Sequence, residues 1–108
     1  MNPNKISIGT ANFANKYGFK KNDGLKINEI EKILHFGYKK GIRNIDTAQA
    51  YGNSESILGN FDLKKWKIST KIKVKKNEQI VFSVEKSLRN LKIDQIENLF
   101  IHNSFNEF

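Results

Sequence analysis

The chain has no cysteine, a single proline, a single tryptophan and only two arginines in 108 residues. Without cysteine there is no disulfide framework, iron–sulfur cluster, thiolate zinc site or cysteine nucleophile, and a reducing compartment is permitted. No apolar run approaches the roughly 18 residues that a membrane-spanning helix needs, and no basic leader with a long apolar stretch opens the chain. A soluble, cytoplasmic protein without a membrane partner is therefore expected. Arginine is scarce although the net charge is +8, because 17 of the 19 basic residues are lysine, spread along the sequence. A nucleic-acid reader would concentrate its charge on one element and use arginine forks, so a solvated surface is the simpler account and no nucleic-acid partner is expected. Residues 1–108 are one domain at most, yet a domain of this size buries roughly two-thirds of its unfolded surface without staples.

What is present alternates short apolar runs with longer amphipathic ones. Residues 5–10 (KISIGT) predict a first strand, followed by a polar loop over 12–26. Asn28 is placed to cap a helix, with Glu31 at the capping-box position. Ile30, Ile33, Leu34 and Tyr38 follow at helical spacing, and Gly41 supplies the stop. Residues 42–46 predict a second strand, 54–58 a short helix closed by Gly59, and 66–71 a third strand. An amphipathic helix over 78–90 carries Ile80, Val81, Val84, Leu88 and Leu91 on one side, and 96–102 predict a fourth strand.

The order β-α-β-α-β-α-β implies parallel pairing through right-handed crossovers. No G-x-G-x-x-G and no G-x-x-x-x-G-K-[ST] follows any strand, so the phosphate-cradling loops of the common open nucleotide-binding sheets are missing. The fold class expected is α/β, a partial TIM (β/α)8 barrel of roughly the first four strands and three helices. A complete barrel takes about 250 residues.

The reactive side chains fall at strand ends. Asp46 closes the second strand, Lys71 the third and His102 the fourth, while Tyr51 lies five residues beyond Asp46. A parallel sheet brings its C-terminal strand ends to one edge, where α/β proteins place their sites. There the four form a coherent chemical set. A tyrosine with an ordinary pKa near 10 is a poor acid at neutral pH, a nearby ammonium favours its phenolate, and a carboxylate can hold that ammonium. A histidine can donate a hydrogen bond to a carbonyl oxygen. Such a group suits protonation of an alkoxide forming from a carbonyl and contains no nucleophile triad or metal cage. Taken singly, each has a blander role: a strand-end aspartate in a turn, a solvated lysine, a packed tyrosine or histidine. His35 is expected on a partly exposed helix face.

Three segments together resemble a known family. GIRNIDTAQAYGNSESILG (41–59), STK (69–71) and LFIHN (99–103) are similar to the aldo-keto reductases, and IGTANF (8–13) and SLRNLKID (87–94) fit the same pattern. The resemblance implies a metal-free, NADP-dependent oxidoreductase passing hydride from NADPH, or NADH in some members, to an aldehyde, ketone or sugar carbonyl. Within it Tyr51 would be the general acid, Lys71 would support its phenolate, Asp46 would orient Lys71, and His102 would position the carbonyl. Thr10, Asp46 and Asn103 would lie near the nicotinamide end of the cofactor. The resemblance covers the catalytic, N-terminal half of such a barrel, and the segments with which the family grips its cofactor most tightly would follow residue 108. Weak or no activity is therefore expected of the chain alone. The alternative is a non-catalytic half-barrel that self-associates, or binds a partner, through its open sheet edges.

Overall fold

The computed structural model describes residues 2–14 and 24–102. Asn103 and residues 15–23 of the loop expected over 12–26 lie outside the described residues. A 3₁₀ turn at Pro3–Lys5 leads into β1 (Ser7–Gly9), and a second at Ala11–Phe13 follows it. Then come α1 (Ile27–Lys39), β2 (Asn44–Asp46), α2 (Ser54–Leu58), β3 (Lys67–Ile72), α3 (Glu78–Leu91) and β4 (Asn98–Ile101). Every element anticipated from periodicity is present, in the anticipated order.

Helix α1 buries Ile30, Leu34 and Gly37, the i, i+4, i+7 stripe of an amphipathic helix. Ile33, at the flank of that stripe, keeps 37% of its surface exposed. The start of α1 differs from the expected cap at Asn28. Lys26 is the N-cap residue, and its backbone N–H donates to Glu29 Oε1 at 3.0 Å. The same three-residue spacing is thus satisfied two positions earlier, which leaves Asn28 and Glu31 exposed. At the other end, Gly41 takes φ +91°, its N–H donates to Tyr38 O at 3.0 Å and that of Ile42 to Gly37 O at 2.9 Å. These two bonds are the paired closure of a glycine-terminated helix.

The buried side of α3 runs through Ile80, Val84, Ser87 and Leu91. Val81, expected on that side, is 65% exposed, because one position around a helix rotates a side chain by about 100° off the stripe. The helix closes with the same bond pair as α1, Lys92 N–H to Arg89 O and Ile93 N–H to Leu88 O. Here, however, the left-handed position at φ 56° is occupied by Lys92.

The four strands form one sheet in the order β1-β2-β3-β4, all pairs parallel. Ile8 pairs with Ile45 and Ile45 with Ile68, so an apolar row crosses the sheet. Ile45 and Ile68 join Ile30 and Leu34 of α1, Ile57 and Leu58 of α2 and Leu91 of α3 in one core. All three helices therefore cover the same face. A doubly wound sheet would need helices on both, so the winding is that of a partial (β/α)8 barrel, whose other face looks inward. That inward face carries Asn44, Asp46, Ser69 and Lys71. Strand β4 closes the described sheet with all four of its residues exposed. Among the described residues no helix is long and apolar enough to cross a membrane.

A left-handed conformation costs a non-glycine residue about 1 kcal/mol or somewhat more. Lys92→Gly is accordingly expected to raise the unfolding free energy by about 1 kcal/mol. Urea denaturation followed by circular dichroism checks this, and a destabilised variant would show that the lysine side chain outweighs its backbone strain.

Candidate functional site

The inward face of β2 and β3 sets the geometry. Asp46 pairs with Ser69, and Lys71 lies two residues further along the same face. From there its ammonium reaches back to Asp46 Oδ2 at 2.8 Å and to the Thr47 carbonyl oxygen at 3.1 Å. The Lys71 and Asp46 side chains keep 20% and 37% of their surface exposed. A pair this wet stabilises a fold by about 0–1 kcal/mol, so its consequence is positional: it fixes where the Lys71 charge sits.

Past β2 the chain continues to pair with β3 through Thr47 N–H to Ser69 O at 2.9 Å and Gln49 N–H to Lys71 O at 3.0 Å, then turns. Tyr51 N–H donates to Ala48 O at 3.1 Å, Gly52 takes φ +54°, and Ser54 N–H donates to Tyr51 O as α2 begins. The turn carries the Tyr51 ring over Lys71, whose Nζ lies 5.2 Å from the ring centroid. His102, one residue past β4, donates its backbone N–H to Ile72 O at 2.7 Å. Its ring meets that of Tyr51 edge to face, with centroids 6.1 Å apart and planes at 84°. His102 Nδ1 is buried and, among the described residues, has no hydrogen-bond partner. A buried polar atom left so costs about 1–3 kcal/mol, which a ligand group able to pair with it would recover.

Asp46, Tyr51, Lys71 and His102 thus stand together at the C-terminal edge of the sheet. Thr10 is beside them but turned inward. It is fully buried, and both its N–H and its hydroxyl donate to the Asp46 carbonyl oxygen, at 3.1 and 3.0 Å. Its hydroxyl is therefore committed to the protein, and its place is behind Asp46 rather than on an open surface. Asn103, the third residue assigned to cofactor contact, lies outside the described residues.

Sequence reasoning assigned no role to Thr47, Ser54 or Glu55, polar residues that hold this edge. Ser54 Oγ stands 3.0 Å from Thr10 Oγ1 and 3.0 Å from Thr47 Oγ1, three buried hydroxyls joining β1, β2 and α2. Glu55 is also buried, its carboxylate accepting from Thr70 Oγ1 at 2.8 Å and from Asn90 Nδ2 at 3.2 Å, which ties α2 to β3 and α3. The available signal was the run SESIL, where a five-residue helix between strands has too few positions to keep both Ser54 and Glu55 in solvent. A cavity of about 560 Å³ lined by Phe61, Trp66, Ile93 and Asp94 lies at the N-terminal ends of β3 and β4, opposite the reactive edge. Among the described residues no group of three or more metal-ligating side chains is gathered.

Comparison with known proteins places this geometry in a context. The model of the Aldo/keto reductase family matches residues 5–108. A crystal structure from Pseudomonas aeruginosa, described as a candidate aldo-keto reductase, superposes with a TM-score of 0.82 at 31% identity, covering 93% of this chain and 43% of its own. Another structure described in the same way, from the same organism, superposes at 0.78 and 29% identity, with 93% and 41% covered. The chain thus spans less than half the length of the solved structures it matches. No curated protein sequence gives a significant match.

Replacing the buried hub of the hydroxyl cluster, Ser54→Ala, deprives Thr10 and Thr47 of a partner and is expected to lower the unfolding free energy by about 1–3 kcal/mol. Ser56→Ala on the exposed side of α2 should change it by no more than about 0.5 kcal/mol. Urea denaturation of the two variants side by side measures the difference.

Proposed function

Because the chain belongs to the aldo/keto reductase family, we propose that its strand-end cluster reduces an aldehyde, ketone or sugar carbonyl, with Tyr51 as the proton donor. The observation that carries this reading is the Lys71 ammonium, fixed by Asp46 Oδ2 and Thr47 O and standing 5.2 Å from the Tyr51 ring centroid, with the His102 ring edge to face with that of Tyr51. The donor set fits a nicotinamide-dependent reduction: polar hydrogen-bonding groups at one open edge, including a buried histidine nitrogen without a partner among the described residues.

A reduced nicotinamide, NADPH or NADH, supplies hydride when bound. Asp46, whose carboxylate is partly exposed at this edge, and Asn103, next to His102 in the sequence, would hold its carboxamide end. The chain's own residues supply the proton. His102 orients the carbonyl by a hydrogen bond to its oxygen. As the carbonyl carbon accepts hydride, the π electron pair moves to oxygen, and that oxygen takes the proton of the Tyr51 hydroxyl. The phenolate left behind is stabilised by the Lys71 charge, and Asp46 keeps that charge in place. Solvent then returns a proton to Tyr51.

A second reading is favoured by β4. Leu99, Phe100 and Ile101 are 38%, 50% and 41% exposed on the last strand of the described sheet, a surface that pairs readily with another chain. In that reading the half-barrel self-associates and does no chemistry.

Oxidation of NADPH with a panel of aldehydes is expected at a low rate for the chain alone, and Tyr51→Phe is expected to lower it by a factor of about 10² or more. Turnover that survives this substitution unchanged removes Tyr51 from the role proposed. For the second reading, light scattering should show mass rising with concentration and a hydrophobic dye should bind; a monomer at micromolar concentration that binds no dye counts against it.

A further inference from the structure

Gln49 lies inside the 41–59 segment without belonging to the four reactive residues, and its side chain fastens the Tyr51 turn to α3. Its backbone N–H donates to Lys71 O at 3.0 Å, the last of the strand-like bonds between this segment and β3. Its side-chain Nε2 crosses to α3 and donates to Ser83 O at 2.6 Å and to Ser87 Oγ at 2.7 Å. Ser87 is fully buried, so the receiving end of this strut is a fixed part of the core side of α3. Two residues further on stands Tyr51, in a turn that contains the left-handed Gly52.

A turn of this kind has many alternative backbone conformations, and ordering each residue costs about 1–2 kcal/mol of conformational entropy. Short local bonds such as Tyr51 N–H to Ala48 O fix the shape of the turn. The Gln49 side chain adds a long-range constraint, because it links the turn to a helix 34 and 38 residues away in sequence. The same residue touches the backbone of Lys71, so it sets the Tyr51 turn relative to the ammonium as well as relative to α3.

We infer that Gln49 is a positioning residue: its amide, held by Ser83 O and Ser87 Oγ, sets the Tyr51 ring against His102 and Lys71. The catalytic meaning of this placement rests on the reductase reading, whereas the placement itself rests on the contacts alone.

The test is NMR spectroscopy of the full 108-residue chain, comparing the Tyr51–His102 ring–ring nuclear Overhauser effect in the unaltered protein, in Gln49→Met and in Ser87→Ala, with thermal unfolding run in parallel. Gln49→Met keeps the side-chain length and removes the donor, and Ser87→Ala removes one of the two acceptors should the first variant not fold. The expected result is loss of the ring–ring effect in Gln49→Met and weakening of it in Ser87→Ala, while amide signals of β2 and β3 stay in place. A lower melting temperature with the ring–ring effect intact in both variants would overturn the inference, since it would make Gln49 a packing residue only. An unaltered chain that shows the ring contact but reduces no carbonyl would remove the reductase reading and leave the role of Gln49 standing.

Discussion

Parallel register governs the reactive edge. Asp46 lies across from Ser69, and Lys71 projects from the same face one pleat further on, so the lysine can reach back along the sheet to the carboxylate. A slip of one residue in β3 would turn Lys71 toward the helices and bring Thr70 or Ile72 to the polar face. The register is protected against that slip by burial: Ile68, Thr70 and Ile72 are all nearly inaccessible on the helical side, and none of the inward residues could replace them there at comparable cost. The apolar core on one face thus fixes polar geometry on the other, although the two share no side chain.

Stability and chemistry are divided between different polar groups. The visible ion pair, Lys71 with Asp46, is too exposed to contribute much to folding. The groups that cannot be lost without penalty are deeper: Ser54 with its two threonine neighbours, and Glu55 between Thr70 and Asn90. These are buried dipoles and a buried carboxylate with their partners supplied, the condition under which burial of polar groups is tolerated. They lie directly beneath the strand ends and hold the platform from which Asp46, Tyr51 and Lys71 project. Such an arrangement lets the projecting groups remain accessible without asking them to support the fold.

Much of this was legible from the residues. Alternation of short apolar runs with 3.6-periodic segments anticipated the order of all four strands and three helices, and parallel pairing then required Asp46, Lys71 and His102 to share an edge. Local decisions were less visible. The N-terminus of α1 lies at Lys26 because a glutamate three residues on competes with Asn28, and two such spacings overlap in the sequence. Val81 looks apolar enough for the core, but the stripe is set by Ile80, Val84 and Leu91, and a valine one step away faces out. The left-handed end of α3 carries a lysine, so no glycine announced it. Gln49 was hidden for a different reason: its partners are Ser83 and Ser87, residues that no local pattern connects with it. Thr10 was expected near the nicotinamide end of a cofactor, whereas its burial and its hydroxyl contacts with Asp46 O and Ser54 Oγ follow from packing that the sequence does not display.

The exposure of β4 has a bearing on the order in which the edge comes apart. Partial opening of a protein begins where the least surface is buried, and β4 is the last strand of the described sheet, with all four residues accessible. His102 is attached to that strand and joins the sheet through its bond to Ile72 O. Asp46 and Lys71 belong to the two inner strands, and Tyr51 is tied back to α3 through Gln49. Opening of β4 would therefore release the histidine and leave the lysine, carboxylate and tyrosine on elements of their own.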